Sequence, residues 1–264
     1  MPYSQEIYFA RSPRPSGSEG MPPLVLIHGA GGSHLHWPRE LRRLGMTDVY
    51  TLDLPGHGKS EGVGRQSVPA YAERLLGWMQ DAWVRRPILV GHSMGGAIAL
   101  QAALDAPDAV SGLVLIGSGA RLRVAEAILQ ATSREETLDQ AIDVIVEWSY
   151  SAGASRALRE LSAKSLREMR AAVLHNDFLA CDLFDVMDRL GEVRVPVLVV
   201  CGAEDRLTPE KYARFMAEHL PDARLVVLPS AGHMVMLEQP KATADAVLTF
   251  VRDRFEPGAQ EFVR

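Results

Sequence analysis

Three side chains far apart in the sequence could together attack a carbonyl group: Ser93, Asp205 and His233. Ser93 is the centre of Gly91-His92-Ser93-Met94-Gly95, which follows an apolar run at 88–90 and opens a helical stretch. A serine hydroxyl is a weak nucleophile until an adjacent base takes its proton, and a sharp strand-to-helix turn is the position that exposes it. Glycines two positions to either side leave room for such a turn. There, at a helix start, backbone N–H groups and the helix dipole favour developing negative charge. His233, in Ser230-Ala231-Gly232-His233-Met234, lies just past the apolar run 225–228 and would be the general base. Asp205, reached through the run that ends at Cys201-Gly202-Ala203-Glu204, would orient the histidine and stabilise its imidazolium. Glu204 is the rival acid, but in Asp-Arg-Leu-Thr-Pro the spacing to the next helix favours Asp205.

Acyl transfer also needs donors for the oxygen that becomes negative. His28-Gly29-Ala30-Gly31-Gly32, directly after the run 24–27, is small enough to let its backbone approach a substrate. The expected donors are the N–H groups of Ala30 and of Met94, the residue after the nucleophile. Neither a G-x-G-x-x-G nor a P-loop lysine is present, which discounts a nucleotide site. His34 and His36 lack a nearby carboxylate or cysteine in sequence, so no metal is expected. The substrate pocket is expected to draw on His34, Trp37 and Met234, and on Trp148 and Phe178 from a later helical segment. Cys181 has no placed base and no expected chemical role; it and Cys201 read as small buried apolar residues.

The elements that must position these groups alternate. Near-continuous apolar runs at 24–27, 49–52, 88–90, 113–116, 195–200 and 225–228 read as strands buried on both faces. Helical patterns between them, with Ser67 as N-cap and Pro69 in the first turn of one, predict an α/β fold with a mostly parallel central sheet flanked by helices. Late helices are expected at about 209–219 and 241–254. From 121 to 190 the strands stop and helix follows helix, with apolar stripes at Leu138, Ile142, Ile145, Val146 and at Leu158, Leu161, Leu166, Met169. The reading is a core of 1–120 and 191–264 with a helical cap at 121–190 inserted after a central strand. The Pro/Ser/Gly-rich patch at 12–23 reads as a surface loop.

With 264 residues and 47% hydrophobic content the chain can build a sizeable core. Its 28 Lys and Arg against 33 Asp and Glu, without runs of like charge, point to neither nucleic acid nor a membrane as partner. The first twenty residues lack the apolar segment of a signal peptide, and two distant cysteines make no disulfide framework, so a cytoplasmic location is expected.

His28-Gly29, Leu54-Pro55-Gly56-His57-Gly58-Lys59-Ser60, Gly91 to Gly95, Asp205 and Gly232-His233 together resemble the α/β-hydrolase superfamily over essentially the whole chain. The resemblance implies that the block 53–60 is a structural turn behind the site, so Asp53, His57 and His92 carry no proton relay. A serine at the elbow separates the chain from relatives that place aspartate there. What it implies is a serine hydrolase, foremost a carboxylesterase acting on a small or medium, largely uncharged ester through an acyl-enzyme, without cofactor. Alternatives with the same apparatus are a lactonase or a carbon-carbon bond hydrolase, for which Arg121 or Arg123 would anchor a carboxylate. A non-catalytic ligand receptor on this fold is the alternative outside enzymology.

Overall fold

Strands form where the chain offers short β-branched runs with no polar face, and those runs pair into one sheet. The computed structural model describes residues 3–16 and 20–256. Among the described residues there are eight strands: β1 (Tyr3–Ser4), β2 (Ile7–Ser12), β3 (Leu24–Ile27), β4 (Val49–Asp53), β5 (Ile88–His92), β6 (Gly112–Ile116), β7 (Val197–Gly202) and β8 (Ala223–Leu228). Their order across the sheet is β1-β2-β4-β3-β5-β6-β7-β8. From β4 to β8 all neighbours are parallel, while β2 runs antiparallel to β4.

Chain order reverses between β3 and β5, because β3 pairs with β4 on one side and with β5 on the other. Loops leaving those two strands therefore diverge and open a crevice at the carboxyl edge. The turn after β3 carries Ala30, and the turn after β5 carries Ser93.

The helices are α1 (Arg39–Arg42), α2 (Val68–Asp81), α3 (Met94–Asp105), α4 (Glu126–Thr132), α5 (Glu135–Ser149), α6 (Arg156–Arg167), α7 (Ala171–Asp182), α8 (Glu210–His219), α9 (Val235–Glu238) and α10 (Pro240–Phe255). Alternate strand residues feed two cores. Val25, Ile27, Leu89, Leu115 and Val199 pack with α2, α3 and α8, whereas Leu24, Leu26, Val90, Ile116 and Val200 pack with α1 and α10. Ser67 caps α2 by accepting from the Ala70 amide, with Pro69 in the first turn. Helices α4 to α7 occupy the segment between β6 and β7 where a helical insertion is expected. In α5 the stripe Ile142, Ile145 and Val146 is buried. The second expected stripe is corrected at Leu161, which is 65% exposed on the outer side of α6.

The sequence pattern does not announce β2, where only Ile7 is fully buried along an otherwise half-exposed strand. In the expected loop 12–23, Ser12 ends β2 and residues 17–19 lie outside the described residues. No described helix is long and apolar enough to cross a membrane.

Candidate active site

Strand β5 ends at His92 and α3 begins at Met94, so Ser93 alone makes the turn, at φ 53° and ψ −119°. A side chain in that region costs about 1–3 kcal/mol, which the surroundings must offset. They do so through the backbone: the Ser93 amide donates to the Ile116 carbonyl (2.9 Å), and the Ser93 carbonyl accepts from the Gly96 amide (2.9 Å) and the Ser118 hydroxyl (2.8 Å). The turn tolerates no side chain at its flanks. A Cβ on Gly95 would lie 2.1 Å from the Ile27 carbonyl oxygen, and one on Gly91 would lie 2.2 Å from that of Gly95. Ser93 Oγ itself has no hydrogen-bond partner among the described residues, and Ser93 lines a cavity of about 80 Å³ together with His233.

Asp205 hangs from the loop after β7 and is held on all sides. Its Oδ1 accepts from the amides of Leu207 (2.9 Å) and Thr208 (2.8 Å), and its Oδ2 from the Thr208 hydroxyl (2.8 Å). Oδ2 also lies 2.9 Å from His233 Nδ1. Burial would raise the pKa of this carboxyl, but the His233 ring and the Thr208 donors outweigh it and hold Asp205 below the ordinary carboxylate range. An ionised carboxylate at that distance assigns the proton to Nδ1, which leaves Nε2 of the neutral ring as an acceptor. Glu204, the rival acid, points elsewhere: its Oε2 accepts from the Ala152 amide at 3.0 Å.

Further contacts tie the histidine loop to the same turn after α5. The Met234 amide donates to the Ser149 carbonyl at 3.0 Å. Glu238 accepts from the Gly232 amide through Oε1 (2.7 Å) and from the Ser151 amide through Oε2 (3.0 Å).

The segment after β3 folds into a tight turn. Gly29 carbonyl accepts from the Gly32 amide (3.0 Å), and from His28 Nδ1 (2.8 Å), while His28 Nε2 accepts from the Leu54 amide (3.0 Å). Among the described residues neither the Ala30 nor the Met94 amide donates to a protein acceptor. Ala30 follows β3 and Met94 follows β5, the two strands between which the crevice opens.

The profile of the alpha/beta hydrolase family matches residues 24–246, most of the chain. The protein belongs to the alpha/beta hydrolase family. This hydrolase is 31% identical over 252 residues to the dihydrolipoyllysine-residue acetyltransferase component of the acetoin cleaving system of Pseudomonas putida, covering 89% of the present chain and 65% of that relative. The chain thus spans somewhat less than two thirds of that relative's length. It is 28% identical over 255 residues to pimeloyl-(acyl-carrier protein) methyl ester esterase of Pectobacterium carotovorum, covering 88% and 95% of the two chains. Among solved structures it resembles a thermophilic esterase at 32% identity and a TM-score of 0.80, over 93% of this chain and 98% of the other.

Trp37, Phe178 and Met234 line the cavity of this alpha/beta hydrolase. Two other expectations are corrected. His34 turns away, with its Nδ1 2.8 Å from the buried carboxylate of Asp53, whose Oδ2 also receives the Lys59 amide at 2.8 Å. Asp53 thereby ties the 53–60 turn to the 3-10 turn His34–His36, and it is His36 that lines the cavity. Trp148 lies outside the cavity with the Arg206 guanidinium 5.6 Å from its ring centre, and Tyr150, two residues on, lines it instead.

Residues that sequence reasoning missed include Leu166 and Ser162, both on the cavity wall, where the Ser162 hydroxyl is hydrogen-bonded to that of Tyr150. They also include Asp177 of α7, fully buried, which accepts from the Gly31 amide, His57 and Tyr71. An acid in the middle of the largely apolar helix Ala171–Asp182, whose other acid is its last residue, was the available signal.

No Asp, Glu, Lys or Arg lines the cavity among the described residues. The imidazoles beside His233 stay uncharged: burial pushes His36 down to about 4, His92 down to about 3, and His28 well below the usual histidine range. No described cluster of three His, Cys, Asp or Glu side chains is arranged to hold a metal ion.

Proposed function

We propose that this hydrolase cleaves carboxylic esters with small, uncharged acyl groups, using Ser93 as nucleophile, His233 as base and Asp205 as its orienting acid. The observation that carries the reading is the Asp205–His233 pair, bonded at 2.9 Å, facing the same cavity as an unengaged serine at a strained elbow. Ser93 Oγ attacks the carbonyl carbon while His233 Nε2 takes its proton. The oxyanion faces the amides of Ala30 and Met94. The imidazolium then returns the proton to the departing alcohol, and an acyl-Ser93 remains. Water attacks that ester with the same histidine as base, which releases the acid and restores Ser93. Asp205 stays ionised throughout.

Cavity chemistry supports the substrate class. Phe178, Leu166, Ile145 and Val146 offer an apolar wall without a charged anchor, and the volume of about 80 Å³ suits a short chain. The carbon-carbon hydrolase alternative loses its anchors: Arg121 pairs with Asp185 at 3.8 Å, Arg123 donates to the Asp182 carbonyl at 3.1 Å, and neither lines the cavity. In this reading residues 121–190 act as a cap that excludes water and sets acyl selectivity. Two buried free cysteines, Cys181 and Cys201, are in keeping with a cytoplasmic setting.

The test is a panel of p-nitrophenyl esters from acetate to decanoate, with simple lactones beside them, and labelling by a fluorophosphonate. Turnover of the short esters and one label, on Ser93, is the expected result. A protein that turns over none of the panel and takes up no label overturns the reading in favour of a ligand receptor.

A further inference from the structure

The oxyanion turn is held from the cap by one side chain. The Gly29 carbonyl accepts from the Gly32 amide at 3.0 Å, so residues 29–32 form a β-turn, and Gly31, at its third position, has φ +67°. A positive φ there is the mark of a type II turn, which differs from type I by a flip of the central peptide, here Ala30–Gly31. Glycine at that position permits the type II form, but something must also fix the turn in place.

Asp177 does. Its Oδ2 accepts the Gly31 N–H at 2.8 Å, and that N–H belongs to the central peptide. Flipping the peptide would withdraw the donor and turn the Ala30 carbonyl towards a buried carboxylate, a repulsive contact in a medium of low dielectric. Asp177 is fully buried, and its charge is matched from the core: Oδ2 lies 2.7 Å from His57 Nε2, and Oδ1 accepts from the Tyr71 hydroxyl at 2.6 Å. His57 Nδ1 faces the Pro55 carbonyl at 3.1 Å, so both ring nitrogens meet acceptors and both carry protons. Burial opposes that charge on His57, but Asp177 and the Pro55 carbonyl outweigh it and hold the imidazolium above the ordinary histidine range. Cap side chains close over the same glycine, since a Cβ on Gly31 would lie 2.5 Å from Leu166 Cδ2 and 2.9 Å from Leu174 Cδ1.

We infer that Asp177 is a positioning residue that anchors the 29–32 turn through the Gly31 N–H and so holds in place the adjoining Gly29–Ala30 peptide, whose N–H is the oxyanion donor, which couples docking of α7 to transition-state stabilisation. The inference rests on the esterase reading above. It makes the hole a joint product of core and cap: the donor comes from the core turn, and the anchor that keeps the turn in place from an acid in the insertion.

Three variants test it with p-nitrophenyl acetate. Asp177→Ala removes the acceptor and lowers kcat about 10- to 100-fold, short of or equal to the loss of one oxyanion donor, while KM stays within about threefold. Asp177→Asn keeps an amide oxygen for the Gly31 N–H and an NH2 for Tyr71, and restores kcat to within about fivefold of wild type. Tyr71→Phe takes a donor from the same carboxylate without touching Gly31; it lowers the melting temperature but leaves kcat within about twofold. An Asp177→Ala kcat no lower than that of Tyr71→Phe, or an Asp177→Asn as impaired as Asp177→Ala, overturns the inference. Amide exchange at Gly31, followed by NMR in the wild type, keeps it falsifiable even if Asp177→Ala fails to fold: protection supports it, and exchange at the rate of an exposed amide overturns it. A wild type inert to every ester and to fluorophosphonate refutes the esterase reading alone, and the exchange measurement still decides this one.

Discussion

Acid should unfold this protein well before its carboxylates titrate, because it buries neutral histidines beside the site. His28, His36 and His92 are all pushed down by burial, His36 to about 4 and His92 to about 3. In the unfolded chain each titrates near about 6.5. Below that pH the unfolded chain takes up protons that the native one refuses, so stability falls with pH until the folded values are reached. One such group costs about 1.4 kcal/mol for each pH unit, and three cost about 4 kcal/mol per unit between roughly pH 6 and 4. Set against a typical stability of about 5–15 kcal/mol, a drop of two units removes much or all of it. His57 does not offset this: its folded pKa is raised, so its contribution is complete below the unfolded value and is lost only as pH rises through the folded one. Urea midpoints from tryptophan fluorescence between about pH 7.5 and 4.5 read the slope directly. His92→Gln, whose side-chain amide can still donate to the His233 carbonyl that His92 Nε2 meets at 3.1 Å, should flatten the slope by one histidine's share. A midpoint that stays level from pH 7 to 5, or a slope unchanged in His92→Gln, would refute the reasoning.

Ser93→Ala should cut kcat by roughly 10⁴-fold or more without unfolding the protein, whereas Ser93→Gly should do the same and raise the melting temperature by relieving the elbow; retained turnover in either speaks against Ser93. Asp205→Asn should lower kcat by about 10⁴-fold through the wrong tautomer, while Glu204→Gln, altering only a contact to the Ala152 amide, should stay within about threefold; the reverse order would reassign the acid. Phe178→Ala should shift preference towards longer acyl chains in graded steps of about 1–3 kcal/mol per methylene, read as kcat/KM across the ester series. Trp148→Ala should leave that profile unchanged, since its ring lies against Arg206 and off the cavity.

The parts of the fold that were legible in the sequence are those buried on both faces. Leu24–Ile27 or Gly112–Ile116 has one physical explanation, a strand inside a covered sheet, and the elbow announces itself because crowding demands glycine at two fixed positions. Strand β2 was illegible because an edge strand half open to water needs no pattern beyond Ile7. His34 and His36 are the same residue type two positions apart, and only the 3-10 turn decides that one meets Asp53 and the other the cavity. The same holds for Trp148 and Tyr150 at the end of α5, two aromatics of which only the second lines the cavity. Asp177 could be seen but not placed, since its partners Gly31, His57 and Tyr71 come from three separate core elements.

The turn at 149–152 belongs in sequence to the insertion and in bonding to the core. Its backbone meets Glu204, Glu238 and the Met234 amide, so the histidine loop and the end of α5 form one mechanical piece. Modularity here has an uneven grain. Helices other than α7, whose Asp177 meets three core residues, can be exchanged with less constraint, but a foreign insertion grafted whole must bring a turn of the same shape, or two core glutamates lose their bonding partners. Recombination between relatives should therefore succeed when its breakpoints retain 149–152 and Asp177 with the recipient, and fail more often when they fall at the ends of the insertion.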